Sequence, residues 1–341
     1  MKKLLKSLRG YHQETPPIWL MRQAGRHLPE YLELRKKTET FLEFCYSPEL
    51  AIEATLQPVK RYDLDAAILF SDILVIPDAL GQEVDFVKGK GPKLMPIRKI
   101  SDIHELHIEK IEDNLIPVFE AIAGVRAKLR SDKTLIGFSG APWTLACYMV
   151  EGGGSKDFER TRIWAKTAPE EFERLIDLLI ISISRYLVQK IKYGCDVIQI
   201  FDSWASVLDS EGFDKWVITP TSKIIKNVRE IYPDFPIIGF PRGAGVNYLR
   251  YHAETGVSAV SFDSGVPLTW IRDNIQTNVT VQGNLDNMVL LAGGRQLDEQ
   301  VSKIHKILGN GPFIFNLGHG VLPKTPISNI ERVINILRKK S

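Results

Sequence analysis

Residues 16–31 read PPIWLMRQAGRHLPEY. The apolar run Ile18-Trp19-Leu20-Met21 has the length and composition of a buried strand, and it stops at Arg22. Gln23, Ala24, Gly25 and a second arginine, Arg26, follow. Two guanidiniums on either side of a glycine, just past a buried strand, are a poor way to build a core. They are a good way to hold carboxylates or phosphates, because each fork can donate two parallel hydrogen bonds. A solvated loop with two surface arginines explains the same letters, so the remainder of the chain has to decide.

The pattern of a short apolar run ending in polar or glycine-rich sequence recurs along the chain. Residues 65–70 end in Ser71-Asp72, residues 134–138 in Ser139-Gly140-Ala141-Pro142-Trp143, and residues 197–201 in Asp202-Ser203. Residues 237–240 end in Pro241-Arg242-Gly243, residues 259–262 in Asp263-Ser264, residues 279–282 in Gly283-Asn284, and residues 313–316 in Leu317-Gly318-His319-Gly320. Helical patterns separate most of them. Ser47-Pro48-Glu49 reads as a helix start running to about Tyr62. Residues 103–130 are helical with a break at Pro117, residues 145–151 open a helix, and Pro169 starts a strong one that Gly194 stops. A last helix opens at Thr325-Pro326. Residues 84–94 alternate and turn on Gly89 and Gly91, which suggests an inserted hairpin. Continuous apolar strands alternating with helices mean a parallel sheet. Eight such units in 341 residues predict a single-domain (β/α)8 TIM barrel over residues 1–341, with a short N-terminal surface helix. An open doubly wound sheet would need a phosphate-binding fingerprint, and no G-x-G-x-x-G occurs.

The bulk numbers agree with an ordinary globular protein. Apolar residues make up 44% and charged residues 25%, and the net charge is +3 with the basic residues scattered. No polybasic patch points to nucleic acid. The three cysteines, Cys45, Cys147 and Cys195, show neither a disulfide framework nor zinc spacing, which fits a reducing, cytoplasmic compartment. No apolar run is long enough to span a membrane, and the basic start lacks a signal peptide's apolar stretch.

In a barrel the strand ends converge on one mouth, which here mixes Arg22, Arg26, Arg242 and His319 with Asp72, Asp202, Asp263, Ser203 and Asn284. Asp72 lies between two apolar runs, where a carboxylate is costly unless something donates to it. It reads either as a helix cap or as an acceptor for the N–H groups of a ligand. His319, between two glycines, reads either as a packed residue or as part of a site. No C-x-x-C pattern is present, and the H-x-x-H at His104 and His107 and the H-x-E triplets that begin at His12, His107 and His252 lie away from the strand ends. Gly152-Gly153-Gly154 reads as a mobile loop, and Tyr148 either reaches the mouth or packs beside it.

Four segments, WLMRQAGRHLPEY, LFSDILVIPDALG, GFSGAPWTLACYMVEGGGSKDF and NLGHGVLP, resemble the uroporphyrinogen decarboxylase family, and the likeness covers essentially the whole chain. The resemblance implies a homodimeric (β/α)8 barrel that works in the cytoplasm without metal or organic cofactor. It implies a carboxy-lyase of porphyrin and haem biosynthesis that removes CO2 from the four acetates of uroporphyrinogen III, giving coproporphyrinogen III. By position it implies catalytic roles for Asp72, Arg22, Tyr148 and His319, and substrate contacts from Arg22, Gln23, Ala24, Gly25, Arg26, Asp72, Tyr148, Ser203 and His319. Arg35 matches a further family arginine in less distinctive surroundings. The chemistry is coherent: eight carboxylates call for cations, expected from Arg22, Arg26 and His319, and an ionised Asp72 can accept from inward-pointing pyrrole N–H groups. Ser206 departs from the glycine expected after the FDSWA turn. Two competing readings are methyl transfer on the same barrel and a non-catalytic tetrapyrrole or anion carrier. The first needs a zinc-binding H-x-C pair that is missing, and the second predicts loss of Asp72 or an arginine, all of which are present.

Overall fold

A computed structural model describes residues 1–87, 89 and 91–339. Seven parallel strands form one curled sheet in the order β1-β4-β5-β6-β7-β8-β9. They are β1 (Ala66–Ile68), β4 (Thr134–Gly140), β5 (Val197–Asp202), β6 (Ile237–Pro241), β7 (Ala259–Ser261), β8 (Thr280–Leu285) and β9 (Phe313–Leu317). Every residue of these strands but the half-buried Phe201 is buried, as in helix-covered parallel strands, which is why they read as apolar runs. The expected hairpin is β2 (Val84–Val87) with β3 (Gly91–Leu94). Lys88 and Lys90 of its turn, and residues 340–341 of the basic tail, lie outside the described residues.

The eighth expected strand, residues 18–21, is reduced to a single bridge between Ile18 and Phe315 of β9. Its neighbours explain this. Pro16 and Pro17 have no N–H to extend a ladder. Beyond Ile18 the backbone amides turn to side chains: Leu20 N donates to Gln23 Oε1 at 3.0 Å and Met21 N to Asn316 Oδ1 at 3.0 Å. The segment still reaches both sheet edges. Trp19 N donates to Phe315 O and Phe315 N to Pro17 O, while on the other side Asp65 N donates to Ile18 O at 2.9 Å. Ile18 N in turn donates to Asp65 Oδ2 at 2.8 Å.

Two apolar clusters flank the sheet. The larger fills the space between strands and helices. The smaller, with Trp19, Ile136, Phe138, Val197, Ile238, Phe240 and Ile314, lies inside the curl. The first helix, Lys3–Leu8, differs from the surface helix expected: Leu4 and Leu8 are buried in this inner cluster and plug one end. A polar chain also crosses the interior. Trp19 Nε1 donates to Gln282 Oε1 at 2.9 Å, and Gln282 Nε2 donates to Gln199 Oε1 at 3.0 Å and Ser261 Oγ at 3.1 Å.

The expected helices are present with shifted ends. Pro48–Tyr62, Pro142–Glu151, Pro169–Lys192 and Ile327–Arg338 are single helices. The long stretch before β4 is split, and Pro117 sits in the first turn of Ile116–Lys128, where its missing N–H leaves no gap in the ladder. The triple-glycine loop is not free, because Leu94 N donates to Gly152 O at 3.0 Å and Gly153 bridges Lys93. The hairpin therefore braces the C-terminal end of helix Pro142–Glu151.

Candidate active site

Strand alternation sets what faces the mouth. Phe138, Phe201 and Phe240 point inward from β4, β5 and β6, with ring centroids 5.8 and 6.1 Å apart in edge-on contacts. These rings form an apolar floor. One pleat further along the chain come Gly140, Ser203 and Arg242.

The arginine loop is built around Arg22, which has a left-handed φ of 61°. A non-glycine residue there is disfavoured by roughly 1 kcal/mol or more and persists only when its surroundings hold it. Gln23 does much of the holding. It is buried, its Oε1 accepts from Leu20 N, and its Nε2 donates to Ala66 O at 3.1 Å. Gln23 thus fixes the loop to β1 rather than presenting its amide to a ligand. Val321 N donates to Met21 O at 2.9 Å, so the loop after β9 is tied to the same turn. The Arg22 side chain runs across Gly320, where an added Cβ would overlap Arg22 Cδ and Cγ. Gly25 faces Arg22 O, 3.0 Å from where a Cβ would stand. Ala24 packs on the outer core, and Arg26 is exposed with no hydrogen-bond or ion-pair partner among the described residues.

Asp72, Tyr148 and His319 share this region. Asp72 Oδ1 accepts from Leu74 N at 2.9 Å. Burial pushes its carboxyl upward, while the Leu74 amide and the Arg22 guanidinium pull it back. Tyr148 lies on helix Pro142–Glu151, half-buried, with its ring edge-on to Phe158 and Trp204 at 6.4 and 6.0 Å. Burial raises its phenol, Asp72 adds to that, and Arg22 opposes it. His319 is pushed down to about 4, first by burial and then by the charges of Arg22 and Arg242. A neutral imidazole at pH 7 corrects the expectation that His319 is one of the cations. The positive charge of the mouth comes from arginines.

Other expected residues fall into different roles. Ser203 is half-buried at the mouth, just beyond β5. Arg35 is spent on its own helix end, donating to Thr38 O at 2.7 Å and Thr38 Oγ1 at 3.1 Å. Asp202 faces outward, under the helices, and accepts from Thr144 Oγ1 at 2.5 Å. Its carboxyl is raised to about 7 by burial, against the Thr144 hydrogen bonds. Asp263 is satisfied within its loop by Gly243 N at 2.9 Å, Tyr248 Oη at 2.9 Å and Gly265 N at 3.0 Å. Ser206 packs against Gly243, leaving no room for a side chain there. Arg242 stood among the strand-end residues without a role, and its electrostatic reach to His319 makes it part of the site. Among the described residues no three His, Cys, Asp or Glu side chains gather as a metal site would need, and no helix is long and apolar enough to cross a membrane.

Residues 1–340 match the family model for uroporphyrinogen decarboxylase (URO-D). A uroporphyrinogen decarboxylase of Rhodospirillum rubrum is 48% identical over 337 residues, covering 99% of this chain and 97% of that protein. One from a Chelativorans species is 49% identical over 338 residues, covering 99% and 98%. Among solved structures, a methyltransferase from Methanosarcina mazei superposes with a TM-score of 0.78 over 98% of this chain and 97% of its own, at 21% identity. That likeness concerns the fold alone.

Proposed function

Because the chain belongs to the uroporphyrinogen decarboxylase family and is a carboxy-lyase, we propose that it converts uroporphyrinogen III to coproporphyrinogen III, with Asp72, Arg22, Tyr148 and His319 as the working residues. The observation that carries this reading is one carboxylate within electrostatic reach of an arginine in a mouth whose positive charge comes from arginines. Asp72 feels Arg22, and Arg22 and Arg242 both reach His319.

Each acetate loses its CO2 by the same sequence. A proton adds to the pyrrole α-carbon, and the ring becomes cationic. The carboxylate–methylene bond breaks, CO2 departs, and the electron pair neutralises the ring through an exocyclic double bond. A second proton makes that methylene a methyl group, and the α-carbon gives its proton back. Asp72 stabilises the cationic ring while accepting from the pyrrole N–H groups, a preorganised electrostatic effect of the kind that dominates many enzymes. Those donors offset what burial does to its carboxyl. Arg22 and Arg26 hold carboxylates, with Ser203 beside them. Gln23, Ala24 and Gly25 shape the turn that aims Arg22. Tyr148 keeps its phenolic proton and serves as a donor. His319, neutral in the free site, accepts or donates through one ring nitrogen at a time.

The same reading takes the chain as one (β/α)8 barrel, with the Ile18 segment as the eighth stave, acting as a cytoplasmic homodimer without metal or organic cofactor. The hydrogen bonds of residues 17–19 to both sheet edges support the closed ring. The test is anaerobic incubation with chemically reduced uroporphyrinogen III, with and without a chelator, followed by oxidation and separation by carboxylate number. A ladder from eight carboxylates to four, unchanged by chelator, is the expected result. A folded protein that leaves the substrate untouched overturns the reading.

A further inference from the structure

We infer that Arg242 is a further substrate-binding residue, clasping one carboxylate of the tetrapyrrole beside Ser203. The inference rests on the decarboxylase reading and adds to it a cation outside the arginine loop.

The argument begins with register. Phe201 pairs with Phe240 and Asp202 with Pro241, so Ser203 and Arg242 are the next pair along. The parallel ladder extends that far, since Arg242 N donates to Asp202 O at 3.0 Å. Phe201 and Phe240 point inward and Asp202 outward, so alternation turns Ser203 and Arg242 to the mouth. The loop carrying Arg242 is fixed rather than loose. Gly243 N and Tyr248 Oη both donate to Asp263 Oδ2, and Ser206 packs on Gly243.

Arg242 is half-buried, yet its guanidinium has no hydrogen-bond or ion-pair partner among the described residues. Most other half-buried arginines have partners: Arg126 pairs with Asp196, Arg185 with Glu112, Arg250 with Asp214 and Arg338 with Asp63, while Arg162, far from the strand ends, has none. Asp263, which accepts from the neighbouring Gly243 amide, is already occupied by three donors, and Asp202 faces outward. A partly desolvated cation with an empty fork is poised for a carboxylate from outside. The His319 imidazole feels the charge of Arg242 together with that of Arg22.

The test compares wild type, Arg242→Gln and Arg242→Lys in the anaerobic assay, with thermal midpoints checked for each. Arg242→Gln is expected to raise KM about tenfold or more, the order of one charge-assisted hydrogen bond, with kcat changing less than about threefold. Arg242→Lys should recover part of the loss. A KM for Arg242→Gln within about twofold of wild type overturns the inference, as does a loss confined to kcat. A wild type that makes no product overturns the decarboxylase reading instead. Binding of the oxidised octacarboxylate, uroporphyrin, followed by fluorescence, then still judges Arg242: equal affinity in wild type and Arg242→Gln sinks it.

Discussion

Asp72 meets two successive main-chain amides, Leu74 at 2.9 Å and Ile73, in a site where burial works against its charge. Asp72→Asn keeps the shape and removes the charge. It should fold normally and lose activity by on the order of 10²–10³, read as kcat in the anaerobic assay. Turnover at the wild-type rate would remove Asp72 from the mechanism. Asp202 gives a prediction about stability. Its folded carboxyl titrates near about 7, against about 4 in an unfolded chain. Between those values the folded protein holds a proton that the unfolded chain has lost, so stability falls as pH rises through the window. The slope approaches about 1.4 kcal/mol per pH unit. His319 works the other way: its depressed pKa of about 4 gives stability present above roughly 6.5 and lost as pH falls towards 4. Comparing wild type with Asp202→Asn isolates the first term. From pH 5 to pH 8 the difference in unfolding free energy should shift towards the variant by on the order of 2 kcal/mol, measured by urea titration. A constant difference means that Asp202 is already charged at pH 5. The identities of Arg22, Asp72, Tyr148 and His319 were legible in short motifs. The neutrality of His319 was not, since it depends on burial and on Arg242, which is distant in sequence. Nor was the scaffolding role of Gln23, because its partner is a main-chain oxygen of β1.

At the scale of elements, the site is held by contacts between loops that follow different strands. The turn after Met21 and the loop after β9 share the Val321 N to Met21 O hydrogen bond, and Asn287 Nδ2 fastens that loop by donating to Gly320 O at 2.9 Å. Gly320 is small because Arg22 lies across it. Gly320→Ala should displace the Arg22 side chain, raise KM several-fold and lower kcat, with little change in thermal midpoint, since the clash falls on a flexible side chain. Steady-state constants within error of wild type would show that Arg22 has another productive path. A second brace links helix Pro142–Glu151 to the turn beyond β5. Thr144 Oγ1 donates to Asp202 and accepts from Trp204 N at 3.3 Å, and Trp143 Nε1 donates to Trp204 O at 3.0 Å. One turn along the same helix Tyr148 meets the Trp204 ring, so this brace sets Tyr148 against the turn beyond β5. Helix starts and stops were readable from proline and glycine. The brace was not, because it joins residues about 60 positions apart through single hydroxyls and amides.

For the molecule as a whole, the repeating apolar runs disclosed a parallel sheet with alternating helices, and the count of eight became seven strands and a bridge. The difference sits where prolines and side-chain acceptors replace ladder bonds, which run-length reading does not see. That seam also gathers charge. Asp63 pairs with Lys133, Arg130 and Arg338, and Arg338 of the last helix reaches Asp65 at 3.7 Å. The first segment, β1 and the last helix therefore meet at one place, and Asp65 is the residue that touches the N-terminal segment directly. Its carboxylate takes Ile18 N, and its own amide gives to Ile18 O. Asp65→Ala leaves Ile18 N without that acceptor and should lower unfolding free energy by about 1–3 kcal/mol. The sharper readout is amide exchange across the seam. Trp19 N and Phe315 N keep their own acceptors in the variant, Phe315 O and Pro17 O. They should nevertheless exchange faster, because local opening of the seam becomes easier while the β5–β6 ladder is affected only through global stability. If Ile18 alone loses protection, the seam is held by its neighbours and does not depend on Asp65.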